Sequence, residues 1–429
     1  MIFLSFPSCA SNPGIQPQIN SLVVAEKFRS ASKILEEQKK AYGKNNELLY
    51  LLDKGLVLHF AQRYEESIDV FDKAKLKFDE LYTKSVTNFA STWFVNDYRA
   101  PFRGEDFERV MINIFQALNF ATQGNIEEAL VEARDVDSVL SAINQQYDPG
   151  QKNVYKEDAF VRLFMGLLYE TNGTNQDLND AYISYVKADQ VYEDDYQRRY
   201  GFMMPQILKE NLLAAAQWMG PDEFKTYRDK FAHIKFLSIE EKKRKAEIIF
   251  IHYQGLSPIK HQDSIFIALP GGYVAKIAFP RYDKRVYEDT TKNFTARNTK
   301  GQTFKEETQL GEDITAIAIK NLENHRARVI AKAVARPLGK YVVERKAEGD
   351  IQNKYGKTSS DWFRAMSSVY NVFSEQADLR SWQTLPGEIR IARLLLEPGD
   401  YELFLEQKYL GNIRIKAGDK RFFMIRAAR

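Results

Sequence analysis

Hydrophobic and polar residues follow two different periods along this chain, and the period changes near residue 246. From 22 to about 235, apolar residues recur at helical spacing, beginning with an amphipathic segment from Leu22 to Tyr42. Asn20 and Ser21 precede that segment, where their side chains could accept hydrogen bonds from first-turn amides. From 247 onwards, short runs of β-branched and aromatic residues predict strands. The sequence therefore predicts a helical region followed by a β-rich region.

Three predicted helix pairs share one arrangement of small residues. A small residue on the first helix is followed by one on the second, with small or apolar positions four and seven residues further on. Small residues let two helix backbones approach, as in stacked tetratricopeptide (TPR) repeats. A fourth, degenerate pair is predicted from Leu208 to Met219 and from Glu223 to Phe231. The three sets are Gly55, Ser67, Phe71 and Ala74; Ala117, Ala129, Ala133 and Val136; and Gly166, Ala181, Tyr185 and Ala188.

The region 247–429 is predicted to be a sheet or sandwich with a helical insertion. The insertion has two helices, Asp313–Ala335, which we expect to end before Pro337, and Ser359–Gln376. The basic stretch Arg326–Arg345 is expected to pack on the sheet, with a position on a membrane as the alternative. The predicted strands are Ile248–Ile251, Ser264–Leu269, Tyr273–Phe279, Ile389–Leu396, Tyr401–Glu406, Ile413–Lys416 and Arg421–Ile425.

These patterns divide the chain into four parts and give an α+β multidomain fold. Residues 1–21 are expected to be a tether, 22–235 a TPR-like helical repeat domain, 236–246 a charged linker or exposed helix, and 247–429 an α+β domain. The linker contains Lys242–Lys245, for which contact with an anionic membrane is the less favoured interpretation.

Composition narrows the class of protein. A chain of 429 residues is long enough for two or three domains. Its 61 Lys and Arg and 58 Asp and Glu leave a net charge of only +3, which gives no global field for nucleic acid. After the N-terminus, no apolar run is long enough for an ordinary membrane-spanning helix.

Cys9 is the only cysteine, and it follows a short apolar run. The opening Met1–Cys9 is similar to the end of a bacterial lipoprotein signal peptide, in which the cysteine would be acylated, although it has no basic residue ahead of the apolar run. The following residues are rich in Ser, Asn, Pro and Gln, as in a tether. We therefore expect Cys9 to be the site of lipid attachment, with an incidental cysteine in a disordered N-terminus as the alternative.

The sequence predicts no catalytic, cofactor-binding or metal-binding residue. No two of the five histidines have the spacing of a helical metal pair, and no nucleophile elbow, P-loop or Rossmann glycine pattern occurs. His59 is interpreted as a packed or surface residue. The alternative is an enzyme whose site lies at the domain junction, around His252, His261, Arg380 and Trp382.

The inner face of the predicted array is apolar and lacks the cationic clamp of peptide-binding repeats. We expect another segment of the chain, or an apolar helix of a partner, to cover it. Arg109 and Arg162 are the candidate partner-binding residues, although each could instead pair with a neighbouring carboxylate. The inner positions are Leu52, Leu56, Ile114, Leu118, Leu163 and Leu167.

Three segments carry a resemblance: Phe102–Arg109, Tyr155–Phe160 and Ala377–Pro386. With them, the chain resembles an uncharacterised family of bacterial TPR-bearing lipoproteins with a β-containing C-terminal domain. The resemblance implies a location in the cell envelope and brings no activity or catalytic residue.

The sequence thus predicts a non-enzymatic scaffold for protein–protein interaction in the bacterial cell envelope. We expect it to face the periplasm with a lipid anchor in the outer membrane, and to bind unknown protein partners rather than nucleic acid. The alternatives are an accessory regulator of cell-wall synthesis or of an export machinery, and the junction enzyme.

Overall fold

Helices fill the N-terminal half of the molecule. They are α1 Gln16–Val24, α2 Phe28–Glu37, α3 Glu47–Phe60, α4 Tyr64–Thr87, α5 Asp106–Thr122, α6 Ile126–Gln145, α7 Ala159–Asn172, α8 Asn175–Val191, α9 Gln206–Met219, α10 Pro221–Lys230 and α11 Ile239–Lys243. A π-helix at Tyr192–Tyr200 follows α8. The structure is a computed structural model, and it describes residues 14–87, 100–145, 155–270, 272–287, 291–355, 357–359, 361–362, 364, 366 and 375–426.

The prediction of a single first helix is wrong. In place of one helix from Leu22 to Tyr42, the chain forms α1, α2 and a short 3-10 helix. The break falls at Glu26, whose φ of 56° lies in the left-handed region and cannot continue a helix. Asn20 and Ser21 consequently lie inside α1 and do not cap it.

The remaining helices pack in consecutive pairs, α3 with α4, α5 with α6, α7 with α8 and α9 with α10. Gly55 leaves room for the ring of Phe71, because a Cβ at residue 55 would come within 2.5 Å of that ring. Gly166 leaves the same room for Tyr185. Ser67 Oγ also donates to the carbonyl of Gly55 at 2.7 Å. These predicted small residues therefore lie where paired helices touch.

Strands in the C-terminal half form two sheets and a hairpin. The central sheet has the order β10-β1-β7-β6, the outer sheet has the order β5-β4-β8-β9, and β2 pairs with β3 as the hairpin. β1 and β10 are parallel, whereas the other pairs are antiparallel. The strands are β1 Ala246–Gln254, β2 Ile259–Leu269, β3 Tyr273–Asp283, β4 Asn293–Asn298, β5 Thr303–Glu307, β6 Gln309–Asp313, β7 Glu388–Leu396, β8 Gly399–Leu405, β9 Lys408–Ile415 and β10 Lys420–Arg426.

All seven predicted strands are confirmed, with ends that differ by a few residues, whereas β4, β5 and β6 were not predicted. β1 is buried along its whole length because it lies between two layers. Ile248 and Phe250 face the outer sheet, where the rings of Phe250 and Phe294 stack with centroids 4.3 Å apart. Ile249 and Ile251 face the helices and belong to their core. The α+β class is therefore confirmed, as helices, central sheet and outer sheet in layers.

The long helix α12, Ile314–Tyr355, shows that the predicted helix end before Pro337 is wrong. A proline's φ suits a helix, but a proline inside a helix generally costs about 3 kcal/mol through a lost backbone hydrogen bond and a clash with the preceding turn. Contacts with the hairpin beyond that point offset this cost. Tyr341 donates to the carbonyl of Pro270 at 3.2 Å, and Tyr273 donates to Glu348 at 3.0 Å.

Only part of the second predicted helix, Ser359–Gln376, lies in the described residues. Those from 357 to 366 are helical, and 375–376 are not. Within the described ranges, none of the helices combines the length and the apolar character needed to cross a bilayer.

The charged segment near residue 240 is a helix rather than a solvated linker. Ser238 caps α11 by accepting a hydrogen bond from the amide of Glu241, and the Glu241 side chain accepts one from the amide of Ser238. The Lys242 side chain is only 9% exposed, and its Nζ lies 2.6 Å from a carboxylate oxygen of Glu170 on α7. Since the main hydrophobic core also includes residues of both halves, the predicted boundary does not separate two cores.

Candidate functional site

The apolar positions predicted for the inner face of the array are covered. All of them are buried in one hydrophobic cluster with residues of the central sheet and of residues 377–387, which we call the plug. A segment of the same chain therefore occupies this face, one of the two outcomes expected from the sequence. The covered positions are Leu52, Leu56, Ile114, Leu118, Leu163 and Leu167.

Trp382 is the largest apolar side chain of the plug, and it has no exposed surface. Its ring centroid lies 6.0 Å from that of Phe71 on α4 and 6.2 Å from that of Phe115 on α5. Its backbone amide donates to the Glu108 carboxylate at 2.6 Å. Both the ring and the backbone thus fix the plug to the helices.

Two buried carboxyl groups on the helices receive hydrogen bonds from the plug. Asp53 accepts from Thr384 at 2.7 Å and from Tyr42 at 2.7 Å. Burial raises the pKa of Asp53 to about 6. Burial, with Glu105 nearby, raises the pKa of Glu108 to about 7. The plug donors therefore satisfy acceptors that would be costly to bury alone.

Arg380 anchors the beginning of the plug. It is 1% exposed, and it binds Asp378 with two hydrogen bonds of 2.8 and 2.6 Å. The same guanidinium donates to Asn46 at 3.1 Å and to the carbonyl of Ala100 at 3.0 Å, and it lies over the ring of Phe102. Its donors are thus directed to protein acceptors, so the visible role of Arg380 is to position the plug.

His59 connects the helices to the central sheet. Its Nδ1 lies 2.6 Å from Asn119 Oδ1, and its Nε2 lies 2.8 Å from the Tyr253 hydroxyl. An acceptor at Nδ1 assigns the proton to that nitrogen, and the tyrosine then donates to Nε2. Burial lowers the pKa of His59 to about 4, so the ring is neutral at pH 7. His59 is therefore a packed residue, as predicted.

The four residues of the predicted junction site do not converge. Arg380 and Trp382 lie in the plug. His252 is buried on the face of β1 that points away from the helices, with its ring 6.4 Å from that of Phe250. His261 is exposed on the hairpin, where it lies 3.8 Å from Asp283.

The two candidate partner-binding arginines are both in ion pairs. Arg109 lies 2.6 Å from Asp79 and over the ring of Tyr82, and Arg162 lies 2.8 Å from Asp137. Pairing with a neighbouring carboxylate was the alternative stated for each arginine. These ion pairs do not test whether the arginines also bind a partner. Cys9, the predicted site of lipid attachment, lies outside the described residues.

A buried network of charges joins the helices to one end of the central sheet. Lys420 lies 2.9 Å from Glu170 and 2.8 Å from Glu247, and Arg393 lies 3.2 Å from Glu247. Burial alone would raise the pKa of Glu247, but Lys420, Lys242 and Arg393 hold it well below its usual value. The carboxylate is therefore ionised and paired, which is a structural arrangement.

A second buried group combines a carboxyl with tyrosines. The Tyr196 hydroxyl lies 3.0 Å from each carboxyl oxygen of Glu312. Glu312 is fully buried, and burial raises its pKa well above the usual value, with Asp158 adding to the effect. It lies at a bulge of β6 and faces the π-helix.

The sequence contained a signal for one of these buried groups. Asp53 and the adjacent Lys54 interrupt an otherwise apolar stretch of α3, Leu48–Leu58, where a charged residue that is buried needs buried partners. Glu108, Glu312 and the cation network carried no such signal, because their partners are remote in sequence.

In the described part of the chain, two clefts lie between the helices and the sheets, and none of His252, His261, Arg380 and Trp382 lines either of them. One lies between α9, β5 and β7. The other, which we call the α2 cleft, lies between the start of α2, the end of α3, β9 and β10. Among the described residues, no group of three or more His, Cys, Asp or Glu side chains is arranged to hold a metal ion.

Comparison of the sequence with protein-family models and with curated proteins finds no match.

Proposed function

We propose that the protein is a non-enzymatic interaction scaffold of the bacterial cell envelope. In this proposal, a TPR-like helical array holds the β-rich region through the plug, and a projecting arm binds a partner protein. The arm consists of the hairpin and α12. The observation that supports the proposal is the exposed apolar surface at the end of that arm.

Three consecutive residues of β2 are exposed at this end: Ile265 by 50%, Phe266 by 59% and Ile267 by 40%. Successive strand residues point to opposite faces, so both faces of the hairpin are apolar here. On α12, Val342 and Val343 are 66% and 69% exposed, and they follow the Tyr341 contact with the hairpin turn. Several large apolar side chains exposed close together in the chain are typical of a protein interface.

The partner that best fits this surface is a β-strand. β2 is an edge strand of 11 residues, and in the described structure its only strand neighbour is β3. An added strand would bond to the open backbone edge and cover apolar side chains on both faces. The filled inner face of the array supports the same assignment, because the array's own groove is not open to a ligand.

A photo-crosslinking amino acid at position 266 in cells tests this proposal. The matched control position is Leu76, which is 71% exposed on α4. We expect a defined crosslinked partner from position 266 and none from position 76. The double substitution Ile265→Thr and Ile267→Thr should abolish the crosslink while leaving the thermal unfolding temperature unchanged. No crosslink at 266, or equal crosslinks at both positions, would contradict the proposal.

The envelope location and lipid attachment at Cys9 are part of the proposal and rest on the sequence. Labelled palmitate should be incorporated into the full-length protein and not into Cys9→Ala. Incorporation into both proteins would contradict lipid attachment at Cys9, and it would not bear on partner binding by the arm. A cell-wall synthase or an export component as the crosslinked partner would specify the regulatory role.

A further inference from the structure

The N-terminus of α2 opens into the α2 cleft. No side chain caps this helix, and its first turn has no acidic residue. The residues of that turn, Phe28, Arg29 and Ser30, line the cleft. Because first-turn amides point outward and the helix dipole is positive there, an uncapped N-terminus favours an anion.

A buried arginine lines the same cleft from the opposite side. Arg426, on β10, is 5% exposed, and its guanidinium carbon lies 5.1 Å from the ring centroid of Phe60. One nitrogen, Nη2, donates to the carbonyl of Gly255, whereas Nε and Nη1 have no hydrogen-bond partner. In the described structure no carboxylate binds this guanidinium directly, and a buried guanidinium without a paired carboxylate is costly.

The carboxylate that lines the cleft, Glu26, offsets the charge of Arg426 only in part. Among the residues that line the α2 cleft, Lys27, Arg29, Lys408 and Arg426 are cations, and Glu26 is the only carboxylate. Glu26 pairs with Lys408. Burial, together with the charge of Arg285, lowers the pKa of Arg426 to about 9, which leaves it charged at pH 7.

Apolar side chains complete the lining. Phe28, Phe60, Tyr409 and Leu410 surround the cations, and Tyr409 is 53% exposed. A ligand that fits this lining carries an apolar group next to its anionic group.

We propose that the α2 cleft binds an organic phosphate, with its phosphate group at the N-terminus of α2 and its apolar part against Phe60 and Tyr409. The first-turn amides and Lys27 contact the phosphate, and Arg426, which lies over the Phe60 ring, adds positive charge to the cleft lining. A soluble organic phosphate and a phospholipid headgroup share this chemistry. The site is independent of the docking arm.

Calorimetric titration of the full chain in phosphate-free buffer tests the site, with inorganic phosphate and phenyl phosphate as probes. Phenyl phosphate should bind more tightly than inorganic phosphate. Lys27→Met should weaken binding by about tenfold, since a charged hydrogen bond contributes about that factor. Lys33→Met is the matched control, because Lys33 lies on the same helix, pairs with Glu37 and does not line the cleft; its binding should stay unchanged.

Arg426→Met separates a ligand-binding role from a structural one. If Arg426 is retained for a ligand, the substitution should abolish phosphate binding and leave the ligand-free protein equally or more stable to heat. Retained binding with a lowered unfolding temperature would overturn the proposal.

Vesicles distinguish the two sources of phosphate. Binding to phosphatidylglycerol vesicles that phenyl phosphate displaces would assign the site to a headgroup, and phenyl phosphate binding without vesicle binding would assign it to a soluble compound. Absence of binding to either phosphate and to the vesicles would overturn the proposal.

Discussion

Removal of the Trp382 side chain tests whether the plug is part of the core or a removable cover. The ring is fully buried and packs edge-on or tilted against two aromatic rings at 6.0 and 6.2 Å. Replacing a buried Trp by Ala costs about 3–5 kcal/mol, through lost transfer free energy and the cavity that remains. The amide hydrogen bond to Glu108 uses the backbone and survives the change. We therefore expect Trp382→Ala to lower the free energy of unfolding by about 3–5 kcal/mol.

Urea unfolding followed by far-ultraviolet circular dichroism measures this quantity. Trp362→Ala is the matched control, because Trp362 is 69% exposed. It should change the free energy of unfolding by less than about 0.5 kcal/mol. A loss below about 1 kcal/mol for Trp382→Ala would refute the reasoning, since the plug would then contribute little to the packing of the array.

Three further substitutions test other parts of the structure by the same measurement. The folded state holds a proton on Glu312 that the unfolded chain releases above about pH 4.3, so wild-type stability should fall with rising pH by up to about 1.4 kcal/mol per unit. Glu312→Gln should remove the part of this dependence that Glu312 contributes and leave the parts of Asp53 and Glu108, so an unchanged pH profile would contradict the assignment. Gly166→Ala should cost about 1–3 kcal/mol because its Cβ meets the ring packed there. In the control Gly349→Ala on α12, the added Cβ meets no atom and should not destabilise the protein. Equal losses of stability from both substitutions would exclude close packing as the cause. Lys420→Met should cost about 3–5 kcal/mol, because it removes a cation that Glu170 and Glu247 share and leaves the buried network one positive charge short. Arg414→Met removes an exposed pair and should have no measurable effect.

The sequence predicted the parts of the fold that depend on local patterns. Ile248–Ile251 reads as a buried strand because β1 is covered on both faces. The polar strands β4, Asn293–Asn298, and β5, Thr303–Glu307, were missed because their composition resembles that of a loop. The predicted helix end before Pro337 was wrong because contacts with a hairpin that is distant in sequence offset the cost of a proline in α12.

The sequence predicted less of the candidate sites than of the fold. An apolar inner face predicted that something covers it, but not that the plug does. Thr384 meets Asp53 across 331 residues of chain, and no local pattern encodes such a contact. The α2 cleft brings Lys27 near Arg426 in the same way. Arg109 and Arg162 were identified as single side chains, without the particular carboxylates that hold them, Asp79 and Asp137.

The parallel pairing of β1 with β10 has a consequence for biosynthesis. Glu247 at the start of β1 aligns with Lys420, so the central sheet closes only after the residues of β10 have been made. Until then, a nascent chain carries a helical half whose inner apolar face is uncovered. Such surfaces aggregate or recruit chaperones. A ribosome-bound chain that ends before the plug should therefore bind a holdase chaperone, and release it once β10 emerges.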